Sequence, residues 1–238
     1  MGWQDYWEHD SSVYVSQRHK AAHYDRLADD LLDFATQSDV PLQRQIVMDF
    51  GCGEALSADR IASKAGRLIL SDGSSRVSDQ LQARFGSVAN ITVLKPGPLD
   101  VVADGSLDLI VVNSVLQYVE AAAAGPLLAM LAAKLAPSGQ MLVADVLPPD
   151  LGAVTDAREL LKFAAAEGFL VAAVVGLARA AVSDYARTRA RHGLTRYTEA
   201  DFGRLAASAG LRAERLPRNL GHNPYRLAFV VRRSKSRV

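Results

Sequence analysis

The stretch Ile46-Val47-Met48-Asp49-Phe50-Gly51-Cys52-Gly53-Glu54-Ala55 decides the fold. A short apolar run, broken by one acid, leads directly into two glycines. That is the pattern of a buried strand entering a turn whose backbone, with no Cβ in the way, can approach a ligand closely. A dinucleotide-binding turn carries a third glycine five positions after the first, under the pyrophosphate, but position 56 is Leu. The acid Asp49, two residues ahead of Gly51, suits a cationic group such as an ammonium. A second acid, Asp72, follows the apolar run Leu68-Ile69-Leu70. It lies about 20 residues past the turn, where a carboxylate at the sheet's carboxyl edge accepts ribose hydroxyls. Turn, leading acid and trailing acid together point to a nucleoside carrying an amino-acid-like cation.

Outward from this stretch the pattern alternates. Runs at 67–71, 91–94, 107–112 and 141–146 read as strands. Between them, Ser57 to Ala65, a segment capped by Ser74 or Ser75 and running to Phe85, and Pro126 to Leu135 read as helices. Lys95-Pro96-Gly97-Pro98 closes the third strand, and Pro137-Ser138-Gly139 turns into the fifth. Short strands alternating with helices predict a doubly wound, mostly parallel sheet covered on both faces. Residues 150–193 interrupt the alternation with an Ala-rich helical insertion. Thr198 as cap, Asp201 three residues on and Gly210 as stop frame one more helix. Leu211 to Leu216 and Leu227 to Arg232 are joined by a connection too short for a helical crossover, so this pair must be antiparallel. Upstream, Val15 to Phe34 reads as one or two amphipathic helices, ended by Ser38-Asp39-Val40-Pro41. The expected organisation is a helical N-terminal lid over 1–42 and an α/β domain over 43–238, with an insertion at about 150–197.

Composition narrows the class. The chain has 238 residues, 49% of them apolar, and a net charge of +1, which excludes disorder as its main state. The single cysteine, Cys52, excludes a disulfide scaffold and suits a reducing compartment. Twenty-seven Lys and Arg against 26 Asp and Glu leave no basic footprint for nucleic acid. The opening residues are polar and carry no secretory pattern, so a cytoplasmic location is expected. The most apolar run, Gly168 to Ala178, is too short to cross a bilayer. It reads as a buried helix, with a surface-embedded or substrate-covering helix as the alternative. The basic tail 232–237 reads as a solvated end.

Four segments resemble the motifs of class I S-adenosylmethionine-dependent methyltransferases, in the same order. Val47 to Gly53 is similar to their first motif, and Leu70-Ser71-Asp72 to their second-strand acid. Leu107 to Val119 resembles their fourth strand and following loop, and Leu135 to Val143 their turn and fifth strand. The resemblance covers residues 44–147 well and 197–232 moderately. It implies a Rossmann-like, seven-stranded sheet with an antiparallel last strand, S-adenosyl-L-methionine as donor and S-adenosyl-L-homocysteine as product. It further implies that Asp49 and the Gly51-Cys52-Gly53 backbone hold the methionine end, Asp72 the ribose, and Leu94 the adenine, with Gly73, Asn113 and Ser114 in the same cofactor set. Two departures stand out. Lys95-Pro96 replaces the small polar or acidic residue often found beside adenine, and Ala55 replaces the usual third glycine. Ala at that position is mild if its φ is negative and serious if positive; it is read as tolerated.

The acceptor side is less explicit. The last connection, Pro217 to Tyr225, falls on the reaction face by that topology and carries His222, the first candidate for a general base. His23 and Tyr118 complete the catalytic candidates. His19 and His23, four apart, lack a matching ligand cluster for a metal, and no metal is expected. Trp7, Tyr14, Arg18, His19, His23 and Tyr24 are candidates for a lid that excludes water. In the insertion, an apolar helix beside Arg179, Arg187, Arg189, Arg191, His192 and Arg196 suits an amphiphilic or anionic substrate or a peripheral membrane contact. Asn113-Ser114-Val115-Leu116 stands where DNA methyltransferases carry their Pro-Pro tetrapeptide, which argues against DNA and for a small-molecule or lipid-like substrate. A homodimer is allowed. The rival readings are a non-catalytic relative serving as an assembly module and a nicotinamide-dependent dehydrogenase, the latter disfavoured by Leu56 and Asp49.

Overall fold

The computed structural model describes residues 14–180 and 193–234. Seven strands form one sheet: β1 (Ile46–Phe50), β2 (Arg67–Ser71), β3 (Ile91–Val93), β4 (Leu107–Asn113), β5 (Leu135–Val146), β6 (Leu211–Arg215) and β7 (Leu227–Arg233). Their order is β3-β2-β1-β4-β5-β7-β6. β1 pairs in parallel with β2 and β4, whereas β7 runs antiparallel to both β5 and β6. The strand order reverses between β1 and β4, and such a switch point opens a crevice at the carboxyl ends of the strands.

The helices are α1 (Gln17–Ala35), α2 (Ala58–Ala62), α3 (Ser75–Phe85), α4 (Ala121–Lys134), α5 (Ala153–Glu167), α6 (Leu170–Ala180) and α7 (Glu199–Ser208). Alternate residues of each central strand feed two separate cores, because successive side chains point to opposite faces. Val47, Leu68 and Leu70 pack under α1, α2 and α3 through Leu31, Phe34, Ile61 and Leu81. Met48, Ile69 and Ile110 pack under α4 and α7 through Leu128, Leu131 and Phe202. The described part of the 1–42 segment is therefore a layer of the core as well as a cover: each of Leu31 and Phe34 contributes about 1.5–3 kcal/mol by burial.

Local signals hold closely. Ser16 caps α1 and Ser74 caps α3 through their hydroxyls. Thr198 and Asp201 form a reciprocal capping box at α7. Four expectations are corrected. Helix α4 starts at Ala121 rather than Pro126, because the alanines ahead of the proline are the strongest helix formers. The Pro137-Ser138-Gly139 turn is a wide bulge inside β5, between Leu135 opposite Leu107 and Gln140 opposite Leu109. The apolar run at 168–178 is not a buried helix: Ala173 is fully buried, but Val171 is 79% and Val174 55% exposed, because among the described residues α6 packs on one side only, against α1 and α5. The basic tail is not all solvated. Arg233 donates to the carbonyls of Ala132 at 2.8 Å and Leu135 at 2.7 Å, closing the end of α4. Residues 235–238 lie outside the described residues.

Candidate active site

The glycine turn is held from both sides. Gly51 and Gly53 have φ of +73° and +56°, a left-handed conformation that glycine adopts without strain. A Cβ on Gly51 would lie 2.4 Å from Val115 Cγ2, and one on Gly53 would lie 2.8 Å from Tyr24 Oη. The Gly51 and Cys52 N–H groups donate to the Ser71 carbonyl at 2.7 and 3.1 Å. Cys52 is buried, and burial pushes its thiol well above its usual value, so it is inert. Ala55 has φ +43°. The third position of the turn is thus left-handed, which corrects the reading of Ala as tolerated: its methyl is strained by about 1–2 kcal/mol there.

Asp72 faces the turn. Its carboxylate accepts the Gly53 N–H at 2.9 Å and the Ser74 N–H at 2.9 Å. Gly73 beside it is exposed. Asp49, one strand over, is pushed up to about 7 by burial and by the neighbouring Asp72 charge. A cation brought beside Asp49 relieves both effects. Leu94 donates its N–H to Leu70 O and accepts from the Ser78 hydroxyl through its carbonyl. Lys95 is drawn outward into an ion pair with Asp79.

At the ends of β4 and β5 two non-glycine residues are left-handed, Ser114 at φ +58° and Asp145 at φ +60°. The Ser114 hydroxyl donates to Asp145 Oδ2 at 2.6 Å. Arg226 pairs with Asp145 at 2.6 Å and with Asp156 of α5 at 3.2 Å. Asn219 accepts the Asp145 N–H through its own Oδ1 at 2.9 Å. Burial raises the Asp145 carboxyl, but Arg226, Ser114 and His23 outweigh it and hold the group below its usual value. Asp145, at the end of the fifth strand, and Asn219, in the last connection, were legible as polar groups beside the reaction face, whereas Arg226 was missed: an Arg opening a strand gives no local signal, and only the antiparallel register of β7 on β5 brings it to Asp145.

Around Asp145 stands a cluster of rings. Asp30 of α1 accepts the Gly221 N–H at 2.9 Å and the Arg218 guanidinium at 3.2 Å, which seats the last loop on α1. His222 therefore meets His19 and His23, both at 6.4 Å between ring centres, and stacks on Phe163 of α5 at 4.8 Å. Tyr14 touches His19, His23 and Tyr24. Tyr24 Oη in turn accepts the Glu54 N–H at 3.0 Å, linking the rings to the glycine turn. Burial lowers His19 and His23 to about 4 and lowers His222, so all three are neutral at pH 7. Burial pushes Tyr14 up to about 12, so it keeps its proton. Tyr118 lies on a short 3-10 turn after β4 (Leu116–Tyr118), half-buried.

Of the sequence candidates, Asp49, Gly51, Gly53 and Asp72 come together at one end of the crevice. His23 and His222 come together at the other, with Asn113 and Ser114 between. Among the lid candidates, Tyr14, His19, His23 and Tyr24 join the ring cluster; Trp7 lies outside the described residues. In the insertion, Arg196 is not part of a cationic face: it donates to the carbonyls of Pro148, Pro149 and Leu151. Arg179 is exposed on α6, and 187–192 lie outside the described residues.

The residues fit an aminoacyl nucleoside. Asn113 Oδ1 and Gln117 Oε1 are buried acceptors with no hydrogen-bond partner among the described residues, and Asn113 ends β4, the strand beside the β1 strand that carries Asp49. A buried ammonium would satisfy such oxygens. The family model described as a methyltransferase domain matches residues 14–216. The chain belongs to the methyltransferase-domain family. No curated protein sequence matches it. Among solved structures the chain is similar to magnesium protoporphyrin IX methyltransferase (ChlM) from Synechocystis PCC 6803 with bound SAH. That match has 16% identity and a TM-score of 0.60, and covers 97% of this chain and 92% of that one. It is also similar to the mitomycin 7-O-methyltransferase MmcR, with 16% identity, a TM-score of 0.63, and coverage of 98% of this chain and 61% of that one. A third is a SAM-dependent methyltransferase from Aquifex aeolicus, with 14% identity, a TM-score of 0.56, and coverage of 92% and 98%. These matches, at 14–16% identity, share the fold of this chain. No helix among the described residues is long and apolar enough to cross a membrane.

Proposed function

We propose that this methyltransferase methylates a hydroxyl or amine of a small or amphiphilic molecule at the β4–β5 end of the crevice, with His23 taking the proton. Asp49 and the glycine turn would hold the donor's methionine end, Asp72 its ribose and Leu94 the adenine edge, with Gly73, Asn113 and Ser114 alongside. The donor supplies a sulfonium-bound methyl that is already electrophilic, so the protein's task is to position and deprotonate the acceptor. The observation that carries the reading is the ring cluster around Asp145. Its three histidines are neutral and able to accept a proton, and a paired carboxylate stands ready to support a charged imidazole. His23 touches Tyr14 and Tyr24, the rings that lead to the glycine turn, whereas His222 stands one ring further out against Phe163. This supports His23 ahead of His222 as base. Tyr14, holding its proton, can donate to the acceptor. The small-molecule reading is also supported by the substrates named for the similar folds, a magnesium porphyrin and a mitomycin.

The test pairs calorimetry with S-adenosylhomocysteine and transfer of tritiated methyl from the donor to a panel of phenols, alcohols and primary amines. His23→Gln is expected to lower turnover by about 10²-fold or more while sparing S-adenosylhomocysteine affinity, and His222→Gln to lower it less. Equal losses of turnover and affinity in His23→Gln remove it as the base. A protein that binds S-adenosylhomocysteine yet methylates nothing in the panel refutes the acceptor assignment.

A further inference from the structure

A concavity of about 840 Å³ lies outside the ring cluster, between the start of α1, the end of α5 and the outer face of α6. That volume falls in the range of small-molecule sites, about 300–1,000 Å³. Its wall is aliphatic: Val15, Leu170, Val171 and Val175 line it, and the last three are 44%, 79% and 41% exposed. Gly176 lets α6 lie close on α1, since a Cβ there would sit 2.2 Å from Val15 Cγ1.

Two features connect this groove to chemistry. Phe169 lines the groove and stacks on His19 at 4.9 Å, and His19 is one ring from His222. Phe169, itself buried, thus stands between the groove and His19, the outermost of the three histidines on this side. The rim is cationic as well. Arg18 donates from Nε to the Glu167 carbonyl at 2.5 Å, which fixes its guanidinium over Gly168 (Nη2 would lie 3.0 Å from a Cβ there), and Arg179 stands on the same edge.

We infer that this groove receives the apolar body of the acceptor, an amphiphile with one anionic group matched to Arg18 and Arg179, whose reactive end passes Phe169 to reach the histidines. The inference rests on the methyl-transfer reading for its function but not for its binding. What favours one amphiphilic ligand over a membrane surface is the contact of the groove's Phe169 with His19, which joins the groove to the ring cluster.

The experiment is fluorescence titration of the full chain with 8-anilino-1-naphthalenesulfonate, an anionic amphiphile, and with N-phenyl-1-naphthylamine, its uncharged counterpart. Both are expected to bind saturably, one per chain. V171E/V175E should weaken both by about tenfold or more, because a carboxylate in the groove disfavours apolar ligands. R18Q/R179Q should weaken only the sulfonate, by about fivefold. Calorimetry with S-adenosylhomocysteine should be unchanged in both variants. Absence of saturable binding by either probe, or binding indifferent to V171E/V175E, overturns the groove assignment. A sulfonate as tight in R18Q/R179Q as in the parent overturns the anionic class. If V171E/V175E instead abolishes dimerisation or sedimentation with phosphatidylglycerol vesicles and the probes do not bind, the face serves another copy or a membrane and the inference fails. Loss of S-adenosylhomocysteine binding in the parent protein, with the probes behaving as expected, strikes the methyl-transfer reading and leaves the groove standing.

Discussion

The two ends of the crevice are built from different materials. At the β1–β2 end the ligand-facing groups are largely backbone, shaped by two left-handed glycines within one turn, with the carboxylates of Asp49 and Asp72 beside them. At the β4–β5 end they are side chains gathered from four distant segments: Tyr14, His19 and His23, then Asp145, then Phe163, then His222 and Arg226. In the proposed reading the first construction would hold a constant donor with few residues. The second would change acceptor by exchanging rings while the turn stays as it is, at the cost of a buried charge network that must be complete to be tolerated.

That contrast predicts which measurement each variant moves. Arg226→Gln leaves Asp145 and Asp156 without their shared cation and should cost about 3 kcal/mol of folding stability by chemical denaturation, with S-adenosylhomocysteine affinity nearly unchanged. Asp72→Ala should weaken S-adenosylhomocysteine by about 1–3 kcal/mol in calorimetry, because it removes the carboxylate proposed for the ribose. It should also lower stability, since the Gly53 and Ser74 N–H groups lose their acceptor. If Arg226→Gln lost affinity as strongly, the two ends would be one unit and the comparison would break. Asp49 sharpens it with pH. Its carboxyl, raised to about 7, is protonated below that pH and cannot pair with an ammonium. Affinity should therefore fall by up to about tenfold per pH unit below 7 and level off above it, and Asp49→Asn should bind weakly with no such slope. The smallest effect is at Ala55. Ala55→Gly relieves the left-handed strain and, after the entropy of the added glycine, should stabilise the fold by about 0.5–1 kcal/mol in thermal melts.

How much of this was legible follows the same division. The glycine turn, the two acids, the alternation of strands and helices and the antiparallel final pair were readable, because each is encoded by neighbours in sequence. The capping residues Ser74 and Thr198 were readable for the same reason. The Asp145–Arg226–Asp156 network was not. Its members are 81 and 70 positions apart and meet only through strand register and the docking of the insertion. The exposure of α6 was hidden because an apolar run records a preference for burial but not what is available to cover it. The left-handed Ala55 was hidden because alanine carries no mark of the conformation that the flanking turn imposes.

The carboxylate of Asp30 on the Gly221 amide ties the first helix to the last loop. β1 and β2 lie early in the chain, whereas the histidine cluster cannot assemble until His222 has been made. A protein clipped ahead of that loop therefore lacks His222 and Arg226 while keeping the segments that carry Asp49, Gly51, Gly53 and Asp72.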